Sequence, residues 1–169
     1  MQINRHIHAF WTTAICIIAA LVLNACGGRL FTYKGDTVTR KNMKATLQDG
    51  EQKGEWKTDE LAVFYHYEKT SDTLKMSGNV KLLAGATAFN IVKQLSVYLL
   101  FLDANGRVLD DPQIFSSGNF QDYSMLSRTF DKSLTIPQGT QSISFAYTGE
   151  LFNSGTGGQT SYSIWNSPK

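Results

Sequence analysis

With 169 residues, 42% of them hydrophobic, 18% charged and 12% aromatic, the chain has the make-up of a folded domain and not of a disordered one. One hydrophobic core is expected at this length. The formal net charge of +2 falls to +1 without residues 1–25, whose only charged side chain is Arg5, and so small a basic excess argues against a nucleic-acid partner.

Residues 1–8 carry Arg5, His6 and His8 and no acid, as the n-region of a secretory signal does. Residues 9–23 are apolar except for Thr12 and Thr13; these 15 positions fall short of the roughly 20 a spanning helix needs, so a signal h-region is expected rather than an uncleaved anchor. Leu23-Asn24-Ala25-Cys26 then sets an aliphatic residue, Asn24, a small residue and a cysteine in order. This run resembles the lipobox of bacterial lipoproteins. The resemblance covers the first 26 residues. It implies cleavage between Ala25 and Cys26, a diacylglyceryl group on the Cys26 thiol and acylation of the new amine. Each buried methylene contributes about 0.8 kcal/mol, so two or three acyl chains make membrane attachment effectively permanent. In that family an aspartate after the cysteine commonly retains the protein in the inner membrane; Gly27 stands here, which implies the outer membrane with the domain facing the periplasm. Cys16 leaves with the signal and Cys26 is the only other cysteine, so an internal disulfide and a cysteine metal site are ruled out for the mature domain.

The expected organisation is a signal peptide at 1–25, a lipidated end and short tether at 26–30 and a folded domain at 31–169. Leu30-Phe31-Thr32-Tyr33 has the make-up of a first strand. Residues 34–60 are polar, with Arg40, Lys41 and Lys44 clustered, and read as loops around one short strand near 43–47. From residue 61 onward, β-branched and aromatic residues alternate between turn clusters. Residues 61–67 form the first clear run; in 72–83 Leu74, Met76, Val80 and Leu82 share one face, with Lys75, Ser77, Asn79 and Lys81 on the other. Residues 84–93 are the one stretch suited to a helical turn. Residues 95–102 are apolar at nearly every position, which predicts a central strand covered on both faces. Asp103-Ala104-Asn105-Gly106 predicts a tight hairpin, with both central residues at positive φ. Further strands are expected at 125–130, 134–136, 142–151 and 162–165, and residues 153–163 contain a loop with the glycine-rich run Gly155 to Gly158.

Seven to nine short antiparallel strands without an amphipathic helix predict an all-β sandwich after the N-terminal signal helix. Ile136-Pro137-Gln138-Gly139-Thr140, followed by Ile143, Phe145 and Tyr147, resembles the corner between the fifth and sixth strands of immunoglobulin-like and fibronectin-type sandwiches, with Ser142 in place of the corner tyrosine. The resemblance implies an immunoglobulin-like β-sandwich.

His66 is the only histidine after processing, and it lies mid-strand in Phe64-Tyr65-His66-Tyr67. Catalytic groups concentrate on loops and strand ends, so a plain strand histidine is expected. One histidine cannot supply the three or four ligands of a zinc site. Asp103 with Asn105, and Asp110 with Asp111, offer oxygen ligands for calcium, but the spacing departs from the EF-hand and a turn accounts for both. No cofactor is expected. The glycines of 155–158 open no helix and so do not form a phosphate loop. The Arg40, Lys41 and Lys44 cluster suits a solvated face before a lipid surface. Eighteen of the 20 aromatic residues lie in the mature domain; Phe115, Phe120 and Tyr123 fall in expected loops, where they offer a contact surface. These features point to a non-enzymatic module that binds an envelope protein, or alternatively to a glycan- or peptidoglycan-binding sandwich that uses exposed aromatics. Cys26→Ala is expected to abolish incorporation of radiolabelled palmitate and to leave the chain at precursor size; a labelled variant would show the lipobox reading to be wrong.

Overall fold

The computed structural model of the chain describes residues 32–124, 126, 128–153 and 160–166. Contacts divide the chain into Met1–Thr32 and Tyr33–Lys169, and the described elements belong to the second unit. The signal segment, Ala25, Cys26 and the glycines at 155–158 lie outside the described residues.

Ten strands are found among the described residues: β1 (Ala45–Thr46), β2 (Gly50–Lys57), β3 (Leu61–Thr70), β4 (Thr73–Leu82), β5 (Ile91–Leu102), β6 (Val108–Asp110), β7 (Gln113–Asp122), β8 (Thr129–Thr135), β9 (Ser142–Asn153) and β10 (Thr160–Asn166). All pair antiparallel. One sheet runs β2-β3-β4-β8; the other has β9 and β5 at its centre, with β1 and β10 sharing the far edge of β9, and β6 and β7 sharing the far edge of β5. Besides its passages from β1 to β2 and from β7 to β8, the chain crosses between the sheets from β4 to β5 and again from β8 to β9, so that β4 lies beside β8 in one sheet and β5 beside β9 in the other. Residues 136–141, expected at a corner, form the crossing from β8 to β9.

The sheets enclose one main core. Leu61, Val63, Leu74, Met76, Val80 and Leu82 face it from one sheet, and Val92, Leu95, Val97, Leu99, Phe101, Ile143, Phe145 and Tyr147 from the other. The alternation read in β4 is therefore the burial pattern observed. Gly78 breaks the apolar series because a β-carbon there would run into the Phe64 carbonyl, while the Phe130 ring covers the gap from β8. The only helical turn in this region is a 3-10 segment at Ala84–Ala88, within the stretch where one was expected.

The outer face of the second half of β5 is buried as well. Tyr98, Leu100 and Leu102 point away from the main core into a second cluster with Tyr33, Val38, Val108 and Ala146. Polar bonds fix the segment that covers them. The Tyr33 N–H donates to the buried carboxylate of Asp111 at 2.7 Å, Gly35 and Val38 bond to Val108 and Gly106, and the Ser144 hydroxyl donates to the Met43 carbonyl at 2.7 Å. A first strand near residues 30–33 is not borne out in its described half. Thr32 and Tyr33 lie outside any strand, because the Tyr33 N–H goes to a side chain instead of a ladder.

Other differences have local causes. β2 stands where loop is expected, because its inward set, Gln52, Gly54 and Trp56, holds one apolar side chain, although Glu51, Lys53, Glu55 and Lys57 alternate on the outside. β7 carries no visible period because Ser116, Ser117, Gly118 and Asn119 interrupt its apolar residues. The runs at 125–130 and 134–136 are replaced by the single strand β8, whose exposed centre Asp131-Lys132-Ser133 hid its continuity. The Asn-Gly hairpin exists, but only Gly106 has positive φ. Its turn closes with Gly106 N–H on the Asp103 carbonyl, and the Asp103 carboxylate accepts the N–H groups of Asn105 and Arg107 at 2.8 and 2.9 Å. A type I turn followed by a left-handed glycine meets these bonds.

Leu99 and Leu100 point to opposite faces of β5 and both are fully buried. Each change to Ala should cost about 2–5 kcal/mol by urea unfolding. A value below about 1 kcal/mol for Leu100→Ala would show that its face is not covered.

Candidate functional site

Thr58 shapes the β2–β3 loop. Its N–H donates to the Leu61 carbonyl at 2.9 Å, and its hydroxyl oxygen accepts the N–H groups of Leu61 and Glu60 at 3.1 and 3.3 Å. This side-chain turn aims Glu60 across the mouth of the sandwich. Two phenols from the opposite sheet converge on its carboxylate: Tyr147 of β9 donates to Oε2 and Tyr162 of β10 to Oε1, each at 2.8 Å. The Thr58 hydroxyl stands 2.9 Å from the Tyr147 oxygen. The phenolic hydrogen of Tyr147 goes to Glu60, so the one hydroxyl hydrogen of Thr58 serves both the Tyr147 oxygen and the Leu61 carbonyl 3.2 Å away. The Tyr162 ring stacks on Phe89, just after the 3-10 turn, with centroids 5.1 Å apart.

Burial pushes the Tyr147 pKa well above the usual phenol range; the Thr58 bond lowers it in part, and the Glu60 bond and charge raise it again. Tyr162 is raised first by its bond to Glu60 and then by the charge. Tyr65 is raised by burial and by neighbouring Tyr67. Such groups hold their protons more tightly in the folded chain than in the unfolded one. The resulting stability is fully present below pH 10, the ordinary phenol value, and is lost as pH climbs through the raised values.

Beside this cluster opens a cleft of about 540 Å³. Arg40, Asn42 and Met43 line it from the N-terminal segment, Lys57 to Glu60 from the loop, Tyr147 from β9, and Trp165 and Asn166 from β10. It lies along the far edge of β9, where β1 pairs with residues 142–143 and β10 with 147–153, leaving 144–146 between them. Trp165 is 61% exposed, the highest value among the large hydrophobic side chains described.

The residues singled out from sequence fare differently. His66 lies mid-strand on the outer face of the four-stranded sheet, 3.9 Å from Glu51 and directly across from Ser77. No hydrogen bond joins it to either among the described residues, and its side chain is 53% exposed. Phe64, His66 and Ser77 instead rim an open hollow of about 450 Å³. The Asp103 carboxylate is taken up by the hairpin, and Asp111 is buried under Tyr33 rather than exposed in a plain turn. Among the described residues no three His, Cys, Asp or Glu side chains gather as metal ligands. Phe115 and Phe120 are in β7 and not in a loop; Phe115 is buried, and Tyr123 packs on the core while its oxygen accepts the Leu82 N–H at 3.0 Å. Of the basic cluster, Arg40 lines the cleft. Glu60 carries no signal in the sequence. It lies 87 and 102 residues from its two phenols, and no local pattern marks such a meeting.

Glu60→Gln should return the Tyr162 pKa towards the phenol range while Tyr147, held up first by burial, stays raised; a tyrosinate absorbance titration with the single Tyr→Phe variants separates the two. Tyr147→Phe should flatten the loss of stability above pH 10 by about one proton, or about 1.4 kcal/mol per pH unit. An unchanged slope in urea unfolding between pH 10 and pH 12 would count against a buried, protonated Tyr147. No protein-family model, no curated protein and no solved structure matches this chain, so the chemistry of the cleft rests on its own residues.

Proposed function

We propose that the chain is an envelope lipoprotein held to the outer membrane by lipid on Cys26, and that its sandwich is a non-enzymatic module that docks an extended segment of another envelope protein along β10. The anchor rests on the lipobox, and the choice of membrane on Gly27. No helix among the described residues is long and apolar enough to cross a membrane.

What carries the docking reading is the contrast between edge strands. An open edge invites pairing unless charge, proline or a bulge guards it. β2 presents Glu51, Lys53, Glu55 and Lys57, and β8 presents Asp131 and Lys132. β7 is irregular, with register shifts against β5. β10 has seven residues, Thr-Ser-Tyr-Ser-Ile-Trp-Asn, with no charge and no proline, in unbroken register with β9. No described strand occupies its other edge. Backbone pairing along such an edge supplies affinity, and pockets for alternate side chains supply selectivity. The finer assignment of the fold is also proposed: neighbours β4 and β8 in one sheet, β5 and β9 in the other, each joined by a crossing, match the arrangement of the B, E, C and F strands of an immunoglobulin-like sandwich.

A photo-crosslinking residue at Ser163 should capture an extended peptide of one envelope protein, whereas the same residue at Lys53 on β2 should not. Ser161→Lys with Ser163→Lys should abolish the crosslink without lowering thermal stability, and Cys26→Ala should reduce it by removing the protein from the membrane. Equal capture from both edges, or from neither, would sink the reading.

A further inference from the structure

We infer that the cleft between β1 and β10 is a glycan-binding site that seats one pyranose ring against the face of Trp165. This goes beyond strand docking, since it uses the loop and the N-terminal segment as well as the end of β10. The volume, about 540 Å³, falls within the range of small-molecule sites. Trp165 is 61% exposed, and among the described residues no ring or cation stacks on it. An exposed indole of this kind has an apolar face and a polar edge. A pyranose ring has the matching shape, with one face of C–H groups and a rim of hydroxyls.

The rim would meet polar groups suited to hydroxyls. Glu60 is fixed by two phenols, one on each oxygen, yet each carboxylate oxygen retains a further lone pair. Such an acceptor loses little freedom when a ligand arrives. Asn42, Asp59 and Asn166 also line the cleft, and their side chains make no hydrogen bond within the described residues. Two cations, Arg40 and Lys57, offset two carboxylates, Asp59 and Glu60, which favours a neutral ligand over a polyanion. Two other hollows among the described residues lack this combination: one lies on the open sheet face around Phe64 and His66, the other beside β7 and β8, and neither has a tryptophan.

The test uses the intact mature lipoprotein in detergent micelles, in which Trp56 is buried and Trp165 is the exposed indole. A β-linked N-acetylglucosamine trisaccharide and a maltotriose are titrated as probes against an Ala-Ala dipeptide, with tryptophan emission as readout where Trp165 is retained and isothermal titration calorimetry for every variant, including those that lack it. A trisaccharide should shift the emission saturably, and the dipeptide should not. Trp165→Phe should retain part of the affinity, while Asp59→Asn, which makes a charged acceptor neutral, and Asn166→Ala, which removes a hydrogen-bonding group, should each weaken it roughly threefold to tenfold. Binding that survives Asp59→Asn and Trp165→Ala together would lie elsewhere and would overturn the assignment. So would binding of the dipeptide alone, which would make the cleft a peptide-terminus site, or no binding of any probe. Asp59→Asn leaves β10 unaltered, so its effect on sugar and on the Ser163 crosslink separates failure of this site from failure of strand docking.

Discussion

The double burial of β5 is the constraint on which the rest of the structure depends. From Val97 to Leu102 every residue of β5 is apolar and buried, so neither face of that half can be left in water. Opposing sheets satisfy one side through Leu95, Val97, Leu99 and Phe101. The other side demands a cover, and the chain supplies it with the segment from Tyr33 to Met43, secured through Asp111, Val108, Gly106 and Ser144. The position of that segment brings Arg40, Asn42 and Met43 to the rim of the cleft. Packing on the outer face of one strand thus sets the composition of a surface site.

Glu60 performs a related task on the open side of the sandwich. A carboxylate from the β2–β3 loop of one sheet, held by phenols from two strands of the other, ties the two layers together. Hydrogen bonds to a charged acceptor are stronger than neutral ones, so the arrangement can hold the loop in place without an apolar plug. The same economy leaves the carboxylate within reach of a ligand.

Legibility from sequence followed burial. β3, β4, β5 and β9 carry long apolar alternations, and both their existence and their inward faces could be read, down to the two-sided covering of β5. Edge strands escaped in proportion to their polarity, because β2 and β7 bury too few apolar side chains to show a period and the exposed centre of β8 broke one strand into two. Asn105-Gly106 marked the place of a hairpin, yet the Asp103 carboxylate selected a different turn from the one the pair prefers. Phe115 and Tyr123, whose polar flanks suggest loops, serve the core, while Trp165, at the end of an edge strand, is the most exposed large aromatic among the described residues. The cluster around Glu60 depends on topology alone, and nothing local records it.

The far edge of β9 also has a consequence in time. It is completed from both directions, by β1 near the start of the chain and by β10 near its end, with Ala45 meeting Ile143 and Asn166 meeting Tyr147. Tyr33 likewise waits for Asp111, and Met43 for Ser144, 78 and 101 residues away. A chain delivered from its N-terminus therefore carries an uncovered β5 and an unpaired N-terminal segment until most of its length has emerged. Long-range pairing of this sort closes slowly and leaves apolar edges exposed in the interval. The nascent protein is most vulnerable to aggregation just before β9 arrives, and a holding chaperone would have its greatest effect in that window.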